Sequence, residues 1–409
     1  MSTLHGDILS ELRKRRQKVL DGGINGIPVP FTRFRQEFPT IEPGRYFIVT
    51  GATKASKTQL ANYLFIYNTV LYCYHHPEKI RVKIFFFPLE ETKEQITLRF
   101  EAFLLHYITN GAVNISPADL RSTDERKPVR EDILNLMESA EFKAIFDIYD
   151  NIVTFCDSRH PTGIFKTVKD YMDAHGSIKY RTLVFDEVDE LTGKHTKVPR
   201  QVFDKYIPDD PDEMVIAIVD HVGLLTCEKD TPTIKQTIEK LSDYMVILRN
   251  KYGCSYVGVQ QQNMETTNLE AFKNNKIRPT KDGLKDSKRP GEDCDVLIGM
   301  TCPNAFELKE YLRYDLTNLK DNFKVLEVVL NRGGRANVLC PLYHDGAINF
   351  YRELPRPDDD VNMNKVYAYI SKQRDAKNLS APITNAEKAA KQSYTFLTWA
   401  QKVINNIIN

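Results

Sequence analysis

The sequence lacks a CxxC pair, a Cys/His cluster, an apolar run of membrane-spanning length and an excess of either charge, and it has a single tryptophan. The seven cysteines, at 73, 156, 227, 254, 294, 302 and 340, are scattered, which argues against a zinc site and for free thiols in a reducing compartment. With 56 Lys and Arg against 55 Asp and Glu, any nucleic-acid contact must come from local patches rather than from a globally basic chain. The opening MSTLHGDILSELRKRRQKVL contains acids and no uninterrupted apolar segment, so it does not read as a secretory leader. An intracellular, cytoplasmic protein with no membrane partner is expected. What is there, 409 residues with 42% hydrophobic and 27% charged content, is enough for one large domain or two modest ones.

The chain divides into three expected parts. Residues 1–43 hold a short helix pattern and a Gly/Pro-rich connection, 44–352 alternate apolar strand-like runs with helical segments, and 353–409 form a Pro/Asp-rich linker and a final helix. YFIVT (46–50), VKIFFF (82–87), NIVTFC (151–156), MVIAIV (214–219), SYVGVQ (255–260), DVLIGM (295–300) and FKVLEVVL (323–330) are short, β-branched and bounded by polar turns. Strands so apolar and so interleaved with helices predict an α/β fold, with a mainly parallel central sheet flanked by helices. LEVVLNRGGRANVLCPLY turns at Gly333-Gly334 and predicts an antiparallel hairpin near the end of the sheet.

Between the strand YFIVT and the helical QLANYLFIYNTVLY lies GATKASKT, residues 51–58. It follows the phosphate-loop pattern GxxxxGK[ST] except at Ser56, where the pattern has glycine. In such a loop, Gly51, Ala52, Thr53, Lys54, Ala55 and Ser56 turn backbone N–H groups toward phosphates. Lys57 reaches the β/γ-phosphates of ATP, and the Thr58 hydroxyl ligates Mg²⁺. Ser56 raises a specific question, because a Cβ resists the positive φ that glycine adopts freely.

A second acid must hold the metal from a neighbouring strand. TLVFDEVDE (182–190) and MVIAIVDHVGLL (214–225) both offer one. After Asp220 come the helix pattern TIKQTIEKLSDYMVILRNKYG and the strand SYVGVQQQN, a regular βαβ continuation; after Asp186 comes a turn-rich stretch with no crossover helix. Asp220 is therefore the expected metal-site acid beside Thr58, and 177–212 reads as an inserted hairpin or loop.

Several ordered segments together resemble the RecA-like ATPase domain (a P-loop NTPase) of DnaB-type replicative helicases, especially those of bacteriophages, over about residues 5–350. ILSELRKRRQKVLDGGINGIPVPFTRF is similar to the family's linker helix and its entry into the domain, GATKASKT to its Walker A loop, and FFFPLEETKEQITLRFEAFL to the strand and helix bearing its water-polarising glutamate. IAIVDHVGLL, VGVQQQN, GLKDSKRPGEDCDVLIGM and VVLNRGGRANV resemble, in order, its Walker B strand, its γ-phosphate-sensing strand, its DNA-contact loop and its arginine-finger hairpin. The likeness implies catalytic roles for Glu90, Lys57, Gln261 and Arg332, the last acting on a neighbouring subunit. It also implies contacts to single-stranded DNA from Lys285, Asp286, Ser287 and Lys288. The family's lysine two residues before the finger is Leu330 here. For Glu90 an acidic helix N-terminus is the rival reading, with Glu91 the fallback base; for Arg332 the rival is a turn arginine paired with a surface acid.

Ile8, Leu9, Leu12, Val19 and Leu20 make a narrow apolar stripe on a short helix stopped by Gly22-Gly23. Alone it is marginal, so it docks either on its own domain or, as the resemblance implies, on the next subunit of a hexamer. Lys273, Lys276, Arg278, Lys281, Lys285, Lys288 and Arg289 crowd one stretch, either solvated surface or a phosphate-contacting loop. SYTFLTWAQKVINNIIN repeats apolar residues at three and four around Trp399, for packing on its own domain or for docking on a replication partner or the neighbouring subunit. The resemblance implies an ATP-driven hexameric helicase acting in DNA replication, in the cytoplasm of a bacterial host if the chain is of phage type. A RecA/RadA-like DNA-dependent ATPase without unwinding and a catalytically weakened nucleotide-binding ring remain alternatives.

Overall fold

The computed structural model describes residues 4–188, 195–263 and 277–376. Lys273, Lys276 and the tail around Trp399 lie outside the described residues. A nine-stranded sheet organises the rest. Its strands are β1 (Tyr46–Gly51), β2 (Arg81–Pro88), β3 (Val153–Phe155), β6 (Glu213–Asp220), β7 (Ser255–Gln261), β8 (Val296–Thr301), β9 (Phe323–Asn331), β10 (Val338–Asp345) and β11 (Phe350–Glu353); β4 (Gly176–Val188) and β5 (His195–Pro208) form a separate hairpin. The sheet order is β11-β10-β9-β8-β1-β7-β6-β2-β3. From β8 to β3 all neighbours are parallel, and β9, β10 and β11 continue the sheet antiparallel.

Alternation along each strand sends side chains to two cores. Phe47, Val49, Phe86, Ile218 and Val259 enter the larger one, under the helical run Lys57–Ala61, Asn62–Tyr67, Asn68–His75 and the helices Lys93–Ile108 and Ala140–Ile152. Tyr46, Ile48, Phe87, Val219 and Tyr256 enter the second, covered by Pro161–Ala174 and Ile234–Tyr252. Both faces being covered is why the strands are apolar throughout.

Residues 177–212, read as an insertion, hold most of the β4–β5 hairpin, which begins one residue earlier and pairs Gly176 with Pro208 through to Val188 with His195. Its base is held by Tyr206, whose hydroxyl donates to the Met172 carbonyl at 2.7 Å. Beyond that base Tyr180, Val184 and Phe185 are exposed. The stretch read as a linker after 352 instead carries the helix Asp360–Ala376, whose Met363, Val366 and Ile370 complete a third core with Leu316, Leu319 and Phe323. The packed unit therefore extends past residue 352. The N-terminal helix, Leu4–Leu20, is tied to the body by Lys18 to Asp212 at 2.5 Å and Arg15 to Glu42 at 3.4 Å, while Ile8, Leu12 and Leu20 stay exposed. All seven cysteines are free, and no described helix is long and apolar enough to cross a membrane.

Candidate nucleotide site

β1 delivers the chain to Gly51 at the carboxyl end of the parallel strands, and a helix begins at Lys57. A Cβ on Gly51 would lie 2.5 Å from the Met300 carbonyl oxygen, so this end of the loop needs glycine. Ser56 has φ 66 and ψ 35, the left-handed conformation the glycine would have taken. For a residue with a Cβ that conformation costs roughly 1–2 kcal/mol. Tyr351 supports it by donating its hydroxyl to the Ser56 carbonyl at 3.2 Å, and Tyr63 in turn donates to the Tyr351 carbonyl at 2.8 Å. Ala55 is buried beneath the turn, while Thr53 and Lys54 are exposed at its rim.

Lys57 Nζ donates to the Ala52 carbonyl at 3.0 Å, inside the loop. Burial lowers its pKa, against the pull of Asp220 and Glu90. The Thr58 hydroxyl donates to Asp220 Oδ1 at 3.1 Å. Asp220 closes β6 and is 4% exposed; burial pushes its carboxyl up to about 7, with the Thr58 bond opposing and Glu90 and Glu91 adding. A hydroxyl and a buried carboxyl side by side, next to the loop 51–58, fit Mg²⁺, since that ion is commonly bound by one or two carboxylates together with phosphates of a bound substrate. No group of three His, Cys, Asp or Glu gathers among the described residues, so a metal cage made by the protein alone is not offered there. Asp186 is elsewhere, on the exposed hairpin, with its carboxylate 3.0 Å from His195 Nδ1.

The chain leaves β2 at Pro88, opposite Asp220, so Leu89, Glu90 and Glu91 sit at the same edge. Leu89 N–H donates to the Asp220 carbonyl at 2.6 Å and Arg159 donates to the Leu89 carbonyl at 2.7 Å, which fixes this turn from both sides. Glu91 is engaged by both terminal nitrogens of Arg99, whereas Glu90 is exposed. The next helix starts at Lys93 with Thr92 as its cap, and the acid in its first turn is Glu94. Glu90 therefore lies ahead of the helix terminus that was its rival explanation.

β7 and the residue after it bring three successive glutamines, Gln260 to Gln262, to this edge. Gln261 donates its amide to Thr53 Oγ1 in the loop 51–58. Gln260 and Gln262, missed in the sequence, are latches: Gln260 Nε2 donates to the carbonyls of Lys285 and Ser287 at 2.7 and 2.8 Å, and Gln262 Nε2 to Thr50 Oγ1 and the Thr280 carbonyl at 3.0 and 2.9 Å. Period-two alternation around Gln261 was the available signal. The loop they hold has Lys285, Asp286 and Lys288 exposed. Ser287 is different: it is buried, and its hydroxyl donates to Glu239 at 3.2 Å, so it shapes the loop instead of facing solvent. Arg278 pairs with Glu327, and Arg289 with Asp293 and Asp243, so the cations here without an ion pair among the described residues are Lys281, Lys285 and Lys288.

Arg332 is not gathered into this site. Asn331 opposes Val296, which pairs with Phe47, so Arg332 lies beside the start of β1, roughly 15 Å along the strand from Gly51. It pairs with no acid among the described residues; its guanidinium donates to the Glu292 carbonyl. Leu330 is partly buried against the second core.

A DnaB-like replicative helicase, solved with its interactions with primase, superposes with TM-score 0.57 at 12% identity over 87% of this chain and 68% of that one. A second solved structure, an ATPase domain, superposes with TM-score 0.58 at 12% identity, over 87% of this chain and all of that one. The chain shares its α/β fold with both structures. At such identity the likeness establishes the fold. No protein-family model and no curated protein matches the sequence.

Proposed function

We propose that this protein is an ATP-dependent replicative DNA helicase, a hexameric ring that translocates on single-stranded DNA and unwinds duplex during DNA replication, of phage type by its resemblance. The observation that carries the reading is the Thr58–Asp220 pair beneath a phosphate loop whose Ser56 already holds the left-handed turn. The loop N–H groups and Lys57 bind the phosphates of ATP. Thr58 and Asp220 would hold Mg²⁺, which when bound neutralises phosphate charge. Glu90, unpaired by Arg99, orients the attacking water and takes up its proton as the γ-phosphoryl group is transferred, leaving ADP and phosphate. Gln261 senses the γ-phosphate from the loop's rim and, through the Gln260 and Gln262 latches, couples it to the loop bearing Lys285, Asp286, Ser287 and Lys288.

Arg332 lies roughly 15 Å along the strand from its own loop, which supports a role on the site of the next subunit. The exposed stripe of Leu4–Leu20 supports the same assembly, since its own domain leaves that stripe uncovered. A primase-like or other replication partner at the tail around Trp399 belongs to this reading as well. A nucleotide-binding ring with weakened catalysis is favoured by one observation, the apolar Leu330 two residues before Arg332.

Single-stranded-DNA-stimulated ATP hydrolysis and fork unwinding, measured for the wild type, Lys57→Ala and Glu90→Gln, test the proposal. Both activities should be present in the wild type and lost in both variants. Hydrolysis without unwinding would reduce the protein to a DNA-dependent ATPase, and nucleotide binding without hydrolysis would favour the weakened ring.

A further inference from the structure

The edge of the sheet opposite the phosphate loop is rich in guanidinium groups. Arg45 immediately precedes β1, and Arg332 comes directly after β9. β8 lies between those strands, pairing Val296 with both Phe47 and Asn331, so the two arginines are near neighbours. A Cβ built on Gly333 would lie 2.7 Å from Arg45 Nη2, which places the Arg45 guanidinium directly against the turn that carries Arg332. The backbone is braced there as well. Arg332 N–H donates to the Asp295 carbonyl at 2.9 Å, while Asp295 Oδ2 accepts from Tyr46 N–H and Arg249 at 2.9 and 3.0 Å.

The charge at this edge does not balance. Glu42 accepts from Arg45 Nε and Nη2 at 3.0 and 2.7 Å and also meets Arg15 at 3.4 Å, Asp295 is occupied by Arg249, and among the described residues Arg332 has a carbonyl and no acid. Beside them is a surface cavity of about 360 Å³ lined by Arg15, Arg45, Arg249, Glu42 and Asp295. A surplus of planar, forked cations around an open polar hollow suits a phosphate oxyanion. Its own phosphate loop is at the other end of β1, so the phosphate must come from another molecule.

We infer that Arg45 is a second cation of the edge that Arg332 presents, and that the two together contact the terminal phosphates of a nucleoside triphosphate held by another copy of this chain. This rests on the ring reading above. Arg45 then acts on transferred charge in the neighbour's site, and Gly333 is small so that the guanidinium can lie over the turn.

The test is DNA-stimulated ATP hydrolysis by the full chain, with assembly followed by sedimentation. Arg45→Ala should assemble like the wild type, with kcat about 10-fold to 100-fold lower and KM little changed. Arg45→Lys should recover part of the loss, and Gly333→Ala, whose methyl displaces the guanidinium, should lower kcat in the same direction. Mixing equal amounts of Arg45→Ala and Lys57→Ala should give more hydrolysis than the mean of the two alone, because junctions between an intact loop and an intact edge reappear. If Arg45→Ala does not fold, the same mixing is done with Gly333→Ala. Unchanged kcat in the folded variants, or a mixture no better than the mean, overturns the inference while leaving the ring reading in place. A wild type that neither assembles nor hydrolyses ATP overturns both.

Discussion

Residues 216–220, IAIVD, and residues 182–186, TLVFD, are both short apolar runs ending in aspartate, yet they occupy opposite environments. Asp220 is 4% exposed at the end of a strand flanked by β2 and β7, whereas the Asp186 side chain is 57% exposed on β4, which among the described residues pairs with β5 alone. An apolar run becomes a buried strand only if layers exist to cover both its faces. Behind Asp220 the chain makes the helix Ile234–Tyr252 and returns as β7, supplying a cover and a parallel neighbour. Behind Asp186 the next described strand is β5, its antiparallel partner, and among the described residues no layer covers this end of the two-stranded ribbon. The same residue type is thereby a desolvated acid at one place and a solvated one at the other.

The largest expected difference between the two acids is in turnover. Asp220→Asn should lower ATP hydrolysis by at least about 10²-fold, because on the proposed reading it removes the charge that would hold Mg²⁺ beside Thr58. Asp186→Asn should leave hydrolysis unchanged. The opposite pattern would move the proposed metal site to the hairpin and undo the comparison.

A smaller effect lies in stability against pH. The raised pKa of Asp220 means that, without nucleotide or metal, the folded chain holds this proton more tightly than the unfolded chain does. Its contribution to stability is complete below the unfolded carboxylate range and is lost as pH rises through about 7. Asp220→Asn should remove that decline, a difference on the order of a few kcal/mol between about pH 4 and pH 7. Thermal melts of the ligand-free protein measure it, with Asp186→Asn expected to track the wild-type profile. A wild type equally stable across that range would mean that Asp220 is not desolvated as described.

The contrast between the acids was readable in the sequence because it depended on the segment C-terminal to each run, a crossover helix in one case and a turn in the other. Other features depended on contacts that spacing does not encode. The choice between Glu90 and Glu91 turns on Arg99, in the helix Lys93–Ile108, which takes one carboxylate and leaves the other. The helix Asp360–Ala376 was hidden by its Pro/Asp-rich approach and by the polar residues between Met363, Val366 and Ile370. Residues 151 and 152 read as strand from their neighbours, but they finish the helix Ala140–Ile152, leaving β3 only Val153–Phe155. The parallel core of the sheet, by contrast, was legible in runs apolar on both faces, a pattern that helix-covered sheets impose directly.

Backbone context outweighing residue identity is also visible at a single residue, where the smallest effect is expected. Ser56 carries a Cβ in a left-handed turn, a conformation that glycine adopts without penalty. Tyr351, bonded to the Ser56 carbonyl, and the helix starting at Lys57 hold the turn from either side. Replacing serine by glycine therefore removes a steric cost of roughly 1–2 kcal/mol from the folded loop and adds up to about 1 kcal/mol of chain entropy to the unfolded one. The two nearly cancel, so Ser56→Gly should change the melting temperature little and leave nucleotide affinity as it is. Isothermal titration with ATP checks the second point. A clear gain in affinity would mean that the serine distorts the phosphate cradle even while its φ and ψ match those of glycine, and surrounding structure would then have corrected the backbone without correcting the site.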